Sequence, residues 1–298
     1  MTRSSGSAGA GTLRSMTTEE LRRYWIEDLS WGWSHQSQCV FDFLCRAREA
    51  ARGRVLLDAG AGHQRYKPFF ADAMYLAQEH QAGVDMKRIQ DYHILGDVKR
   101  LPVEDGCIDI VLSTVAIEHI RYPVAFFEEA FRILRPGGSL WVQAPFVYNE
   151  HEQPYDFQRP TRYGLLRWFE DAGFEDLEVQ PTSSSTDSIC SLAKYALDED
   201  IKRLEGGWLR MQMARTLRSI TKRNLALVRR VFDRGPCETT TMPLGWLSVG
   251  RKAGASDPRE IDLKDTAGFV RDHAEAHPAA IFDGDVLIWD DAKATAGA

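Results

Sequence analysis

The chain has 298 residues, 44% of them apolar, and a formal net charge of −6. That length suits one large domain with appendages or two small ones, and the acidic balance argues against a nucleic-acid substrate, which needs a basic footprint. Five scattered cysteines (Cys39, Cys45, Cys107, Cys190, Cys237) with no C-x-x-C spacing, and no apolar run of about 18 residues, argue for reduced thiols, a cytoplasmic setting, no metal site and no spanning helix.

In chain order, residues 1–15 are rich in Ser, Gly, Ala and Thr and lack an apolar h-region; they are read as a disordered tail rather than a signal peptide. Residues 16–52 are read as a helical lid. Thr17 or Thr18 caps a helix carrying Leu21, Tyr24, Trp25 and Leu29, and Val40, Phe41, Leu44 and Ala47 stripe a second one. Between them Trp31, Trp33 and His35 either line a substrate lid or pack as an apolar plug.

Residues 55–62 read Val-Leu-Leu-Asp-Ala-Gly-Ala-Gly. A buried strand over 54–58 runs into a glycine turn, where the missing Cβ lets a ligand approach the backbone. The sixth position of a dinucleotide Gly-x-Gly-x-x-Gly is Arg65, and no Gly-Lys-Ser/Thr follows, so neither a dinucleotide nor a P-loop fingerprint is present. Further strands are predicted at 73–79, 92–97, 108–113, 139–144, 174–180 and 245–251, with helices at 123–135 and 161–172. Alternating βαβ units of this length specify an α/β, doubly wound, mostly parallel seven-stranded sheet. The second strand ends in Glu79, 21 residues after Asp58, a spacing that suits an acid accepting from ribose hydroxyls. Asp85, in Gly83-Val84-Asp85, is the rival; Glu79 is favoured on spacing.

Asp58-x-Gly60-x-Gly62, Gly96-Asp97-x-x-x-Leu101-Pro102, Glu118-His119, Arg135-Pro136-Gly137-Gly138 and Pro154-Tyr155-Asp156-Phe157-x-Arg159 occur in this order. Together they resemble the type 11 family of class I S-adenosylmethionine (SAM)-dependent methyltransferases, over roughly residues 50–180. One departure stands at Gln64, where the family usually has a third glycine. The resemblance implies that residues 53–181 form a SAM-binding core. Asp58, Ala59, Gly60 and Gly62 would hold the methionine end, Glu79 the ribose, Asp97 and the Val98 amide the adenine. Thr114 and Val115 would lie beneath the sulfonium. The fitting reaction is transfer of a methyl group to an O or N atom of a small molecule, as in natural-product or glycan/lipid tailoring.

A general base must reach the acceptor proton near neutral pH, which points to histidine. His119 and His151 are the candidates. Asp156 and Arg159 are read as a buried pair shaping the loop, and Trp33 and Tyr148 as substrate contacts. The chain lacks Asn/Asp-Pro-Pro-Tyr/Phe, a placed cysteine nucleophile and an Asp-Asp-Asn metal cluster. Other readings are an elimination or cyclisation enzyme on the same scaffold, or a non-catalytic partner subunit.

Residues 182–240 are a helical insertion before the last core strand at 241–253. Seven Lys/Arg and no acid lie between Gly206 and Val231. They read either as a solvated helix face or as a surface for an acidic or carrier-bound substrate, a protein partner or a lipid. Residues 254–298 form a C-terminal extension, with a helical patch at Phe269–Val270 and a possible strand at 285–289, that the core does not require. A homo-oligomer is compatible with all of this.

Overall fold

A computed structural model describes residues 14–30, 34–80, 89, 91–236, 239–255, 261–290 and 293. Its strands are β1 (Val55–Ala59), β2 (Met74–Glu79), β3 (Ile94–Leu95), β4 (Ile108–Thr114), β5 (Leu134–Pro145), β6 (Glu175–Pro181), β7 (Gly245–Arg251), β8 (Ala280–Asp283) and β9 (Val286–Trp289). They form one sheet in the order β6-β7-β5-β4-β1-β2-β3-β9-β8. β5, β4, β1, β2, β3 and β9 run parallel, whereas β7 is antiparallel to β5 and β6, and β8 to β9.

The sheet therefore has nine strands and not the seven expected. β3 is two residues long and would leave an open edge beside the core. Residues 286–289, Val-Leu-Ile-Trp, are all buried and pair with it, Ile94 opposite Leu287 and Leu95 opposite Ile288. The C-terminal extension is thus built into the sheet.

Strand alternation sorts the core. Val55 and Leu57 of β1 face one apolar cluster, and Leu56 faces the other. On the first face lie Phe126 and Phe127 of α3 (Pro123–Ile133) and Phe169 of α4 (Arg162–Ala172). Phe269 and Val270 of α7 (Thr266–Asp272) belong to the same cluster. On the second lie Leu21 and Trp25 of α1 (Thr18–Glu27) and Phe41 and Leu44 of α2 (His35–Ala51), packed on Phe69, Phe70, Tyr75 and Trp141. Each such burial contributes about 1.5–3 kcal/mol. Thr17 caps α1 in a capping box with Glu20, and Ser34 caps α2. The N-terminal helices are structural walls of the core as well as neighbours of the cavity described below.

Between β6 and β7 the chain forms α5 (Ser185–Arg203) and α6 (Trp208–Phe232). Arg229 pairs with Asp187, and Arg218 and Lys222 pair with Asp198, which ties the two helices together. Among the described residues, no helix is long and apolar enough to cross a membrane.

Candidate functional site

The strand order reverses at β1, whose neighbours are β2 and β4. In an open α/β sheet the ligand crevice lies beyond the carboxyl ends of the strands at such a point. A cavity of about 1230 Å³ occupies this position, lined by the loops after β1, β2, β3, β4 and β5.

One wall is the glycine loop. Gly60 has φ +76°, and a Cβ there would stand 2.7 Å from the Ala116 Cβ. Gly62 has φ +51°, and a Cβ there would meet nothing within 4 Å, so its backbone is open to the cavity. Gln64 also sits in the left-handed region, φ 52°, with its side-chain Nε2 donating to the Asp91 carbonyl at 2.7 Å. A glycine would adopt this conformation freely, whereas Gln64 is strained there by about 1 kcal/mol or more. The Gly62 amide donates to Glu79 Oε2 at 2.7 Å, and the His80 amide to Oε1 at 2.8 Å. Gln78, wholly buried, accepts from the Gly60 amide at 3.1 Å and donates to the Gly96 carbonyl at 2.7 Å. It braces the glycine loop against the loop that carries Asp97. Asp97 accepts from the Lys99 amide at 3.0 Å and faces the Lys99 ammonium at 3.0 Å.

Asp58 follows the alternation and points away from the cavity, into the aromatic face, where the Tyr75 hydroxyl donates to its Oδ2 while Oδ1 has no hydrogen-bond partner. Burial, with Glu79 nearby adding to it, pushes its pKa up to about 7, although the Tyr75 hydrogen bond opposes the shift.

The second wall comes from the loops after β4 and β5. Val115 lines the cavity with φ 52°, a position a β-branched residue seldom takes. Next, Glu118 is fully buried with neither carboxylate oxygen hydrogen-bonded. Its Oε1 lies 3.9 Å from His119 Nε2 and 3.6 Å from His151 Nε2. Burial raises its carboxyl above the usual range, while His119, His151 and Arg159 pull the other way. The His119 Nδ1 edge sits 2.7 Å from the Tyr155 carbonyl. The His151 Nδ1 edge faces the Asn149 carbonyl at 3.3 Å and Asp156 Oδ2 at 3.4 Å. Arg159 grips Asp156 in a two-pronged fork at 2.5 and 2.6 Å, which holds that carboxyl down at about 2. The imidazole rings stand 5.0 Å apart, and Tyr148 packs edge-on to His151 at 5.5 Å. Glu118, His119 and His151 also have the donor set of a divalent-cation site, with ligand atoms all within 4.8 Å of one another.

Of the residues singled out from sequence, Gly60, Gly62, Glu79, Asp97, Val98, Thr114, His119, Tyr148 and His151 line this one cavity. Asp58 and Ala59 lie behind it, buried. Trp33 and Asp85 fall outside the described residues. Three residues escaped the sequence reading. Gln78 announces itself only as an amide inside an apolar strand, which must find partners. Glu118 was seen as half of a dipeptide and not as a buried charge. Gln143 lines the cavity from β5 with its side-chain oxygen buried and unpartnered.

Residues 57–142 match the model of a family described as methyltransferase domain. A probable S-adenosylmethionine-dependent methyltransferase of Mycolicibacterium smegmatis is 28% identical over 159 residues, covering 48% of this chain and 59% of the relative. An uncharacterized methyltransferase of Mycobacteroides abscessus is 36% identical over 118 residues, 34% of this chain and 45% of the relative. The chain spans about half the length of these curated relatives. A solved structure from Thermotoga maritima, a SAM-dependent methyltransferase described as a possible histamine N-methyltransferase, aligns with TM-score 0.47 at 15% identity, over 78% of this chain and 95% of that one. The family match takes in the glycine loop, Glu79, Asp97 and His119 and stops short of His151.

Proposed function

We propose, for a chain whose residues 57–142 place it in the type 11 family of class I methyltransferases with SAM as cofactor, that the protein methylates an oxygen or nitrogen atom of a small molecule. The observation that supports this reading is the convergence of Gly60, Gly62, Glu79 and Asp97 with His119 and His151 on one cavity. The residues present fit the cofactor. The backbone at Gly62 is open, and carboxylates at Glu79 and Asp97 are acceptors suited to ribose hydroxyls and an adenine amine. Each carboxylate oxygen has two lone pairs, so the amides already bonded to Glu79 leave capacity for more.

The cofactor, when bound, supplies an electrophilic methyl group that the acceptor atom displaces in line. This chain's work is then to orient the acceptor and take its proton. His151 is the base. Two acceptors, the Asn149 carbonyl at 3.3 Å and the Asp156 carboxylate locked by Arg159 at 3.4 Å, stand on its Nδ1 side, so Nε2, 3.6 Å from Glu118 Oε1, is the nitrogen that receives the proton. His119, held by the Tyr155 carbonyl, and buried Glu118 stabilise the cation that forms. Tyr148 and Gln143 contact the acceptor.

Calorimetry with S-adenosylhomocysteine on the wild type and on Asp97→Ala tests the cofactor half; no binding to folded wild type sinks the reading. Labelled methyl donor offered with hydroxylated and amine acceptors tests the other half. Binding without transfer to any acceptor would favour a non-methylating enzyme on this scaffold. Activity that survives exhaustive chelation supports proton transfer to His151; activity lost and restored by a divalent cation replaces it with a metal at Glu118, His119 and His151.

A further inference from the structure

Helix α6 is 25 residues long and buries none of them. Leu209, Met213, Leu217, Ile220, Leu227 and Val231 are exposed by 49–65%. At 3.6 residues per turn these six side chains fall within an arc of about 80°, a stripe roughly 33 Å long that only Asn224 interrupts. The stripe does not face the protein. The α6 residues that meet α5, namely Arg218, Lys222 and Arg229, project from the opposite side of the helix and pair with Asp198 and Asp187. Ordinary packing therefore gives no account of it, and an apolar stripe of this size on a surface marks a binding face.

Charge says what covers it. Arg223 and Arg230 border one edge of the stripe and Arg210 the other, and residues 207–232 contain no acid. A second copy of the chain packed stripe to stripe would bring these arginines together. The nearby acids of α5, Asp187 and Asp198, already serve α6 cations within the chain. An apolar stripe with cationic borders on a helix that lies along the surface is the pattern that settles into the boundary between headgroups and acyl chains. We infer that α6 docks this protein on the anionic face of a lipid bilayer, lying in the interface plane with Leu209, Leu217 and Leu227 toward the acyl chains.

The helix is attached to the body of the protein at the end that matters. Asp233, just beyond it, accepts from the Ser184 hydroxyl at 2.7 Å and lies 3.3 Å from His35 Nδ1 at the start of α2. Tyr195, on α5, lines the cavity. A docked α6 thus leaves the cavity one helix away from the headgroups. The docking surface stands whether or not the cavity transfers methyl groups.

The test is co-sedimentation of the full chain with vesicles of phosphatidylglycerol and phosphatidylcholine, against vesicles of phosphatidylcholine alone. Wild type is expected to bind the anionic vesicles at least tenfold more tightly, and high salt is expected to weaken that binding. Leu217→Glu with Leu227→Glu is expected to abolish it. Arg223→Glu with Arg230→Glu is expected to weaken it by roughly 25-fold or more, since each basic residue near an anionic surface accounts for roughly fivefold. All four residues are exposed, so thermal unfolding of both variants should match wild type. No binding to anionic vesicles, or binding that neither variant reduces, overturns the proposal. So does a concentration-dependent dimer that Leu217→Glu dissociates, which would assign the stripe to a second copy.

Discussion

On the glycine side of the cavity, Gln64, Gln78 and Glu79 are each engaged in hydrogen bonds that fix the loop before any ligand arrives. On the histidine side, Glu118 keeps two buried oxygens without a hydrogen-bond partner, between two imidazoles. The first wall is preorganised backbone, whose contribution is shape. The second holds an under-satisfied charge in a low-dielectric setting, where a proton changes the energy steeply. On the proposed function, the wall that binds and the wall that reacts would differ in how completely their polar groups are paired.

Substitutions should separate the two. His151→Ala is expected to lower kcat by about 10²- to 10⁴-fold, the usual contribution of a general base, with S-adenosylhomocysteine affinity unchanged; an equal loss of affinity would erase the distinction between the walls. Behind the glycine wall, Asp58 has a folded pKa raised from 3.8 to about 7. Its contribution to stability is fully present below the unfolded pKa and is lost as pH rises from about 4 through about 7, by a few kcal/mol at 1.36 kcal/mol per unit. Asp58→Asn should flatten that fall in a series of unfolding curves, and a wild-type curve already flat across the window would refute the assignment. Gly60→Ala places a Cβ 2.7 Å from the Ala116 Cβ at φ +76°. It should cost about 3 kcal/mol of stability by denaturant unfolding and remove cofactor binding.

Asp97→Ala comes next, weakening S-adenosylhomocysteine by about 1.5–3 kcal/mol, the worth of a charged hydrogen bond, without shifting the melting temperature of the ligand-free protein. The smallest effect belongs to Asp156, on the histidine wall, whose pKa is lowered from 3.8 to about 2 by Arg159. Its contribution of about 2 kcal/mol is present above pH 4 and lost as pH falls toward 2, the opposite sign to Asp58. Acid titration of Asp156→Asn should show the missing transition.

Much of the first wall was legible in the sequence because its chemistry is local. Strands at 55–59, 74–79 and 245–251 fell within a residue of expectation, and the loops that follow the first two carry their own signature of glycines and terminal acids. The helix expected over 123–135 ends at Ile133; Leu134 already pairs with Ile108, and Pro136-Gly137-Gly138 forms the irregularity where the β4–β5 register shifts, Gly137 taking φ 78°. The second wall depends on residues more than thirty positions apart, and nothing in the spacing of Glu118 and His151 says that their side chains meet. The strand of Asp58 was legible but not its side: period two puts it with Leu56 and Tyr75, a register rule that the motif alone does not reveal. The insertion of β9 beside β3 was hidden for a different reason. The strand itself was expected at 285–289, but the edge it covers lies far back in the chain, and nothing local to it names that partner.

That insertion has a consequence for how the protein is made. Gly96 packs 3.1 Å, measured from where its Cβ would be, from the Trp289 Cβ, and Arg100 lies over the Trp289 ring and pairs with Glu275. The ledge next to Asp97 therefore has no backing until residue 289 has been translated. At about 5–20 residues per second, the glycine loop waits roughly ten to forty-five seconds on the nascent chain for that strand to arrive, and His151 roughly seven to thirty. A ribosome stalled before β9 therefore leaves the cavity open on the side that Asp97 lines.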